Sequence, residues 1–211
     1  MSDDVHTELV SPDRQSAARY DRIAMMFHWL IAGLILLDFA FALSFSQFNP
    51  GDALYFSFAY RMHMSTGLVV LALSVACVAW RLLHKYPTLP QTMSLVSRML
   101  AKTAHALLYL FIIAIPVSGW VVLSVRKKPA ALFGQLNWPN IAYLEQMTRE
   151  QRVRYYEFLL PAHIKWSYIG MCLVGLHILA ALYHHFYRHD DVLMRMLPGR
   201  RTRSTSAGSD N

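Results

Sequence analysis

His163–Tyr187 reads HIKWSYIGMCLVGLHILAALYHHFY, an apolar run with one histidine at its head and a second, His177, fourteen positions on. Fourteen residues make almost four whole helical turns, so both imidazoles leave nearly the same face. At about 1.5 Å of rise per residue they lie roughly 21 Å apart along the axis. That distance is a large fraction of a hydrocarbon layer about 30 Å thick. One membrane helix can therefore offer a metal ligand to each of two centres stacked across a bilayer. The opposing ligands must then come from elsewhere in the chain.

The chain of 211 residues is 55% hydrophobic and 16% charged. Soluble domains carry about 25% charged residues, so the deficit belongs to a membrane protein. The net charge of +7 does not point to nucleic acid, because the basic residues cluster at the ends of apolar runs. Cys77 and Cys172 each lie inside a different apolar run and read as small buried hydrophobes. There is no Cys-x-x-Cys-His, which excludes covalently attached c-type haem. The first residues are polar and acidic, with Asp3, Asp4, Glu8 and Asp13, unlike a secretory signal.

Runs of spanning length occur at about Ile23–Phe45, Met62–Leu83, Thr103–Val125 and Ile164–Tyr187. Each meets the need for roughly 20 apolar residues. In lipid the backbone must satisfy its own polar groups, so these runs are expected to be helices. The expected fold is an all-α membrane protein, a four-transmembrane-helix bundle. Glycines 33, 67, 119, 170 and 175 suit close helix packing. Pro116 is expected to kink span three. Short loops are expected at 46–61 and 84–102. The longest connection, 126–163, is broken by Pro129, Pro139 and Pro161. Within it Ile141–Leu160 reads as an amphipathic helix lying on the membrane surface. The chain divides into a polar arm (1–19), the bundle domain (20–199) and a basic, disordered tail (200–211).

Lys and Arg set the orientation. The arm carries Arg14, Arg19 and Arg22, the second loop Arg81, Lys85, Arg98 and Lys102, and the C-terminal segment Arg188, Arg195, Arg200, Arg201 and Arg203. The other side carries fewer: Arg61, Arg126, Lys127, Lys128, Arg149, Arg152, Arg154 and Lys165. The positive-inside rule puts both termini in the cytoplasm.

That orientation sorts four of the ten histidines by depth. His28 and His177 fall near the inner face, His63 and His163 near the outer face. Ionisable residues inside spans are rare and functional by default. A six-coordinate haem iron needs two axial ligands from opposite sides, and neutral imidazole suits iron. Facing helices of a bundle build such sites readily. Taken singly, each histidine is as readily a hydrogen-bonded interface residue. Taken together, the four form two depth-matched pairs. Zinc fits less well, since two histidines per centre fall short of its usual four ligands.

Several residues keep open roles. His105, at the start of span three, suits a haem propionate, a quinone or a proton relay, and equally an ordinary interface position. His84, His184, His185 and His189 sit at helix ends, where the helix C-terminus favours them, and His6 lies in the solvated arm. Arg81 fits a haem propionate or a membrane-edge anchor. Asp38 is the one acid deep in a span, and it suits either a bond to a helix neighbour or proton movement. Trp29, Trp80, Trp120 and Trp166 fit the aromatic belts.

Four stretches, in order, resemble the bacterial cytochrome b561 family. Tyr20–Leu30 is YDRIAMMFHWL. Met62–Gly67 is MHMSTG, followed by RLLHKYPTLP at Arg81–Pro90. His105–Gly119 is HALLYLFIIAIPVSG, and Leu176–Gly199 is LHILAALYHHFYRHDDVLMRMLPG, the most specific. The resemblance covers about residues 20–199. The family is similar in design to the cytochrome b subunits of formate dehydrogenases and nickel–iron hydrogenases. The resemblance implies two non-covalent b-type haems held by His28, His63, His163 and His177, as a multi-pass protein of the bacterial inner membrane. It implies electron exchange with the quinone pool, with ubiquinone as redox partner. One member class resembles a superoxide:quinone oxidoreductase.

The leading expectation is a diheme electron carrier between the membrane faces, without iron-centred chemistry, since bis-histidine irons have no open position. Basic residues of the outer loop, Arg126, Lys127, Lys128, Arg149, Arg152 and Arg154, suit an anionic donor such as superoxide or anionic membrane lipids. Whether the chain is an enzyme in its own right is left open. One rival reading is the cytochrome b anchor subunit of a larger dehydrogenase or hydrogenase-type complex. Another is a transporter that relays protons through Asp38 and histidines.

Overall fold

The computed structural model describes residues 21–45, 47, 53–84, 95–128, 130–189 and 192–197. The polar arm, with His6, and the basic tail lie outside them. Four helices are long and apolar enough to cross a membrane: α1 (Arg22–Ser44), α2 (Ala53–Leu83), α3 (Leu95–Val125) and α5 (Arg149–Phe186). A short hairpin, β1 (Ala130–Leu132) and β2 (Leu136–Trp138), and a one-turn helix α4 (Ala142–Glu145) lie between α3 and α5.

In sequence order α1 packs on α2, α2 on α3, and α3 on α5. The most enclosed helix is α2, which buries Ser65, Thr66, Leu68, Val70, Leu71, Ser74 and Cys77. Its hydroxyls turn back on the helix, Ser65 Oγ donating to the Arg61 carbonyl (2.8 Å) and Thr66 Oγ1 to that of Met62 (2.6 Å). Such bonds let polar side chains sit in an apolar interior. Gly170 brings α5 close to α3. A Cβ there would stand 2.5 Å from Ile115 Cδ1 and 3.3 Å from Phe111 Cδ1. By contrast Gly33 and Gly175 have nothing within 4 Å of such a Cβ. They are not packing glycines. Leu36, Leu37, Val75, Leu110, Leu176 and Leu179 are exposed, the outward face of helices that meet lipid. Cys77 is buried, but Cys172 is exposed and belongs to that outward face, contrary to the buried reading.

The helices outrun the hydropathy boundaries. Ala53 starts α2 and Leu95 starts α3, so the loops expected at 46–61 and 84–102 are partly helical. Hydropathy marks only the stretch that suits lipid, whereas backbone hydrogen bonding carries the helix into the polar edge. The larger correction is the surface helix expected at Ile141–Leu160. Only α4 is separate. From Arg149 the chain is one 38-residue helix running through Pro161 into the fourth span. Thr148 starts it with a reciprocal cap: its Oγ1 accepts from the Gln151 amide and the Gln151 side chain accepts from the Thr148 amide. Proline costs a helix one amide bond, and the exposed Pro161 is not enough to stop a helix so firmly started. At about 1.5 Å per residue α5 is about 57 Å long, far more than the hydrocarbon thickness. Its first turns, with Arg149, Glu150, Arg152, Arg154 and Glu157, form a charged stalk.

The hairpin caps one end of the bundle, hereafter the hairpin end. Its register pairs Ala130 with Trp138 and Leu132 with Leu136. The turn holds Phe133 (φ 50°) and Gly134 (φ 79°) in the left-handed region, which suits a tight hairpin. The Phe133 amide donates to Ser65 Oγ (2.9 Å) on α2. The Ile141 amide donates to Ser124 Oγ (3.1 Å), and Trp120 Nε1 to the Pro139 carbonyl (2.9 Å). Leu132 and Trp138 close over Leu68 and Leu123, with Tyr60, Met64 and Trp120 around them. At the opposite end Trp29 Nε1 donates to the Met196 carbonyl (2.6 Å) and Trp80 Nε1 to Asp21 Oδ2 (3.2 Å). Three of the four belt tryptophans therefore tie end segments to the bundle. Trp166 lies against Phe111, ring centroids 5.8 Å apart.

Candidate functional site

Each of the four histidines singled out in the sequence has another of them as a ring neighbour. His28 on α1 faces His177 on α5 with centroids 6.3 Å apart. His63 on α2 faces His163 on α5, also at 6.3 Å. Thus α5 contributes one imidazole at each end, and α1 and α2 contribute the opposing rings. The separation has a chemical meaning. Two ring nitrogens each about 2 Å from one metal ion put the ring centres about 6 Å apart. Direct stacking would bring them closer, as for His84 on Trp80 at 3.7 Å.

At the hairpin end the imidazoles have partners on their far side. Ser118 Oγ donates to the Ile115 carbonyl (2.7 Å). With that hydrogen committed, the oxygen is left to accept from His163 Nδ1, 2.8 Å away. His63 Nδ1 lies 3.1 Å from Asp38 Oδ1 on α1. With protons on both Nδ1 atoms, both Nε2 atoms keep their lone pairs, the form in which imidazole binds a metal. Gly119 makes room for the ring of His163, since a Cβ there would meet its Cε1 at 3.1 Å. Phe45 sits edge-on to His63 at 5.5 Å.

At the opposite end Trp29 lies edge-on to His28 at 5.2 Å. His105 on α3 lies 5.8 Å from His177, so the structure adds a third imidazole to this end. Arg81 does not anchor freely at the membrane edge. Its Nη1 donates to Tyr109 Oη (2.8 Å), and its guanidinium lies 5.0 Å from the Tyr109 ring centre. Tyr109 stands one turn beyond His105 on α3. Two contacts could not be read from the sequence: that of Ser118, an ordinary span serine there, with His163, and that of Asp38, singled out as an acid deep in a span, with His63 on another helix.

Among the described residues no group of three or more His, Cys, Asp or Glu side chains can hold a metal unaided. A two-imidazole site therefore fits a metal that brings its other ligands along, as the four nitrogens of a haem do. The residues at both ends fit such a group.

The basic residues expected to greet an anion divide between two places. Arg126 and Lys128 join Ser57, Tyr60, Arg61 and Met64 around a shallow groove at the hairpin end. Arg61 and Met64 flank His63 along α2, and the Arg126 guanidinium lies over Tyr156 at 5.1 Å. Arg149 and Arg154 lie on the stalk with Glu150 and Glu157, where acids offset their charge.

A family model described as prokaryotic cytochrome b561 matches residues 19–199. Cytochrome b561 homolog 2 of Escherichia coli (strain K12) is 31% identical over 85% of this chain and 91% of its own length. A protein of Yersinia pestis named probable superoxide oxidase CybB is 26% identical over 87% of this chain and 98% of its own length. Cytochrome b561 homolog 1 of Escherichia coli (strain K12) is 22% identical over 87% of this chain and 99% of its own length.

Proposed function

The chain belongs to the prokaryotic cytochrome b561 family, as a haem-binding, multi-pass protein of the bacterial inner membrane, and from that premise we propose that it carries electrons between two bis-histidine b haems and the quinone pool. The observation that carries this reading is the repeated 6.3 Å spacing of His28–His177 and His63–His163. Bound between such pairs, a b-type haem supplies a reversible one-electron relay without an open iron position. The protein's part is to hold the rings and keep their Nε2 atoms free, and Ser118 and Asp38 are placed to do so at the hairpin end.

The Lys and Arg asymmetry puts the hairpin end outside and both termini in the cytoplasm. The groove carrying Arg61, Arg126 and Lys128 then faces the periplasm beside the His63 site. Its charge favours a small anion, and superoxide is the donor that the Yersinia pestis relative's name suggests. Two superoxide anions would each give up one electron and leave as dioxygen. The two electrons, with two protons, would convert ubiquinone to ubiquinol at a site towards the opposite end.

Haem counting by reduced-minus-oxidised spectra, on the wild type and on four His→Ala variants, tests the core of this reading. Two haems per polypeptide are expected. Changing His63 or His163 should remove one and the same haem, and changing His28 or His177 the other. One haem in the wild type, or uniform loss of both in every variant, would overturn it. Reduction by superoxide should slow as ionic strength rises. A rate indifferent to salt would remove the anion-steering part.

A further inference from the structure

We propose that Asp38 is a positioning residue for the hairpin-end centre: its carboxylate holds the Nδ1 proton of His63 and makes that centre the harder of the two to reduce. This rests on the two-centre reading above.

Among the described residues Asp38 is the one acid in the apolar stretch of a spanning helix. Its side chain is 16% exposed and that of His63 22%. Oδ1 and Nδ1 lie 3.1 Å apart without the alignment of a formed hydrogen bond. Both atoms are shut off from solvent, and among the described residues neither has another hydrogen-bond partner. A carboxylate in hydrocarbon is costly and persists where it is paired. A small turn of the His63 ring would align this one. Gly67, one turn beyond His63 on α2, borders the carboxylate: a Cβ there would stand 4.0 Å from Asp38 Oδ2, an ordinary contact. The arrangement is thus built from both helices: an acid on α1 and an imidazole on α2.

Among the described residues the other three paired imidazoles have no such neighbour. His163 faces the neutral hydroxyl of Ser118. Among the described residues neither His28 nor His177 has a carboxylate partner. A hydrogen bond to a charged acceptor is roughly twice as strong as one to a neutral acceptor. It pulls the Nδ1 proton away from the ring and enriches Nε2 in electron density, which strengthens that nitrogen as a ligand. The negative charge of Asp38 also favours the more positive iron state. Both effects act on one end only. Asp38 therefore biases a single electron to move from the hairpin end to the opposite end, with no further reactant.

The test uses the full-length, haem-loaded protein in detergent. Each centre's midpoint is read by spectroelectrochemical titration, with haem counted in parallel. His63→Ala identifies which midpoint belongs to the hairpin end. Asp38→Asn keeps the size and an acceptor oxygen but removes the charge. It should retain both haems and raise the hairpin-end midpoint alone, and Asp38→Glu should restore part of the shift. Asp38→Asn with both midpoints unmoved, or both moved equally, overturns the proposal and leaves the two-centre reading standing. Loss of both haems from Asp38→Asn marks a folding role and also overturns it. His63→Ala that still holds two haems overturns the reading and the proposal together.

Discussion

The two ends of the bundle hold their imidazole pairs at the same spacing with different supports. At the hairpin end each ring has a polar partner on its far side, Asp38 for His63 and Ser118 for His163. Gly119 is cut to fit the second ring. At the opposite end the neighbours are rings: Trp29 against His28 and His105 against His177. Equal spacing with unequal support separates two jobs. Helix packing sets where the rings stand. Their local partners set which nitrogen binds and how strongly.

That separation can be broken most sharply at Gly119. Gly119→Leu drives a side chain into the His163 ring, and one haem of two should be lost while the opposite end keeps its own. Pigment per polypeptide checks it, and retention of both would mean the ring has room the structure does not show. Gly170→Ala tests packing instead of local support. Overpacking α3 against α5 should cost about 1–3 kcal/mol and lower the melting temperature, with both ends weakened alike. Ser118→Ala leaves packing alone and removes the His163 partner. Haem should leave the hairpin end about tenfold more readily in competition with an apo haem acceptor. Ser65→Ala strips the Phe133 amide of its acceptor, at about 1 kcal/mol. Limited proteolysis at the turn should quicken, with both haems retained. Gly175→Ala is the smallest. Nothing lies within 4 Å of the new Cβ, so stability should stay within about ±0.5 kcal/mol and both midpoints should hold.

The four spans were legible because lipid imposes its demand locally, on each run of residues by itself. The approach of His28 to His177 and of His63 to His163 followed from helical periodicity and the distribution of Lys and Arg, both readable along the chain. What escaped depends on distant partners. The hairpin strands are three residues each, too short to show alternation, and the turn is held by Ser65 from another helix. Asp38 was visible as an oddity, but its neighbour lies 25 positions away on α2. Pro161 was read as punctuation. The Thr148 cap and the packing of α5 outweighed its single missing bond. Trp29, Trp80 and Trp120 looked like anchors in the lipid interface, yet they hold segments of the protein's own chain.

The unbroken α5 rod has a consequence for how this chain can change over generations. Each residue added to a helix turns everything beyond it by about 100°. Inserting or deleting one residue between His163 and His177 would swing one imidazole off its line while the other stayed put. A substitution along that stretch, such as at Gly170, acts where it stands, whereas the length of the stretch is quantised. Only changes near a whole number of turns, such as seven residues, would keep both rings aimed the same way, and those would move the two centres about 10 Å further apart or closer together.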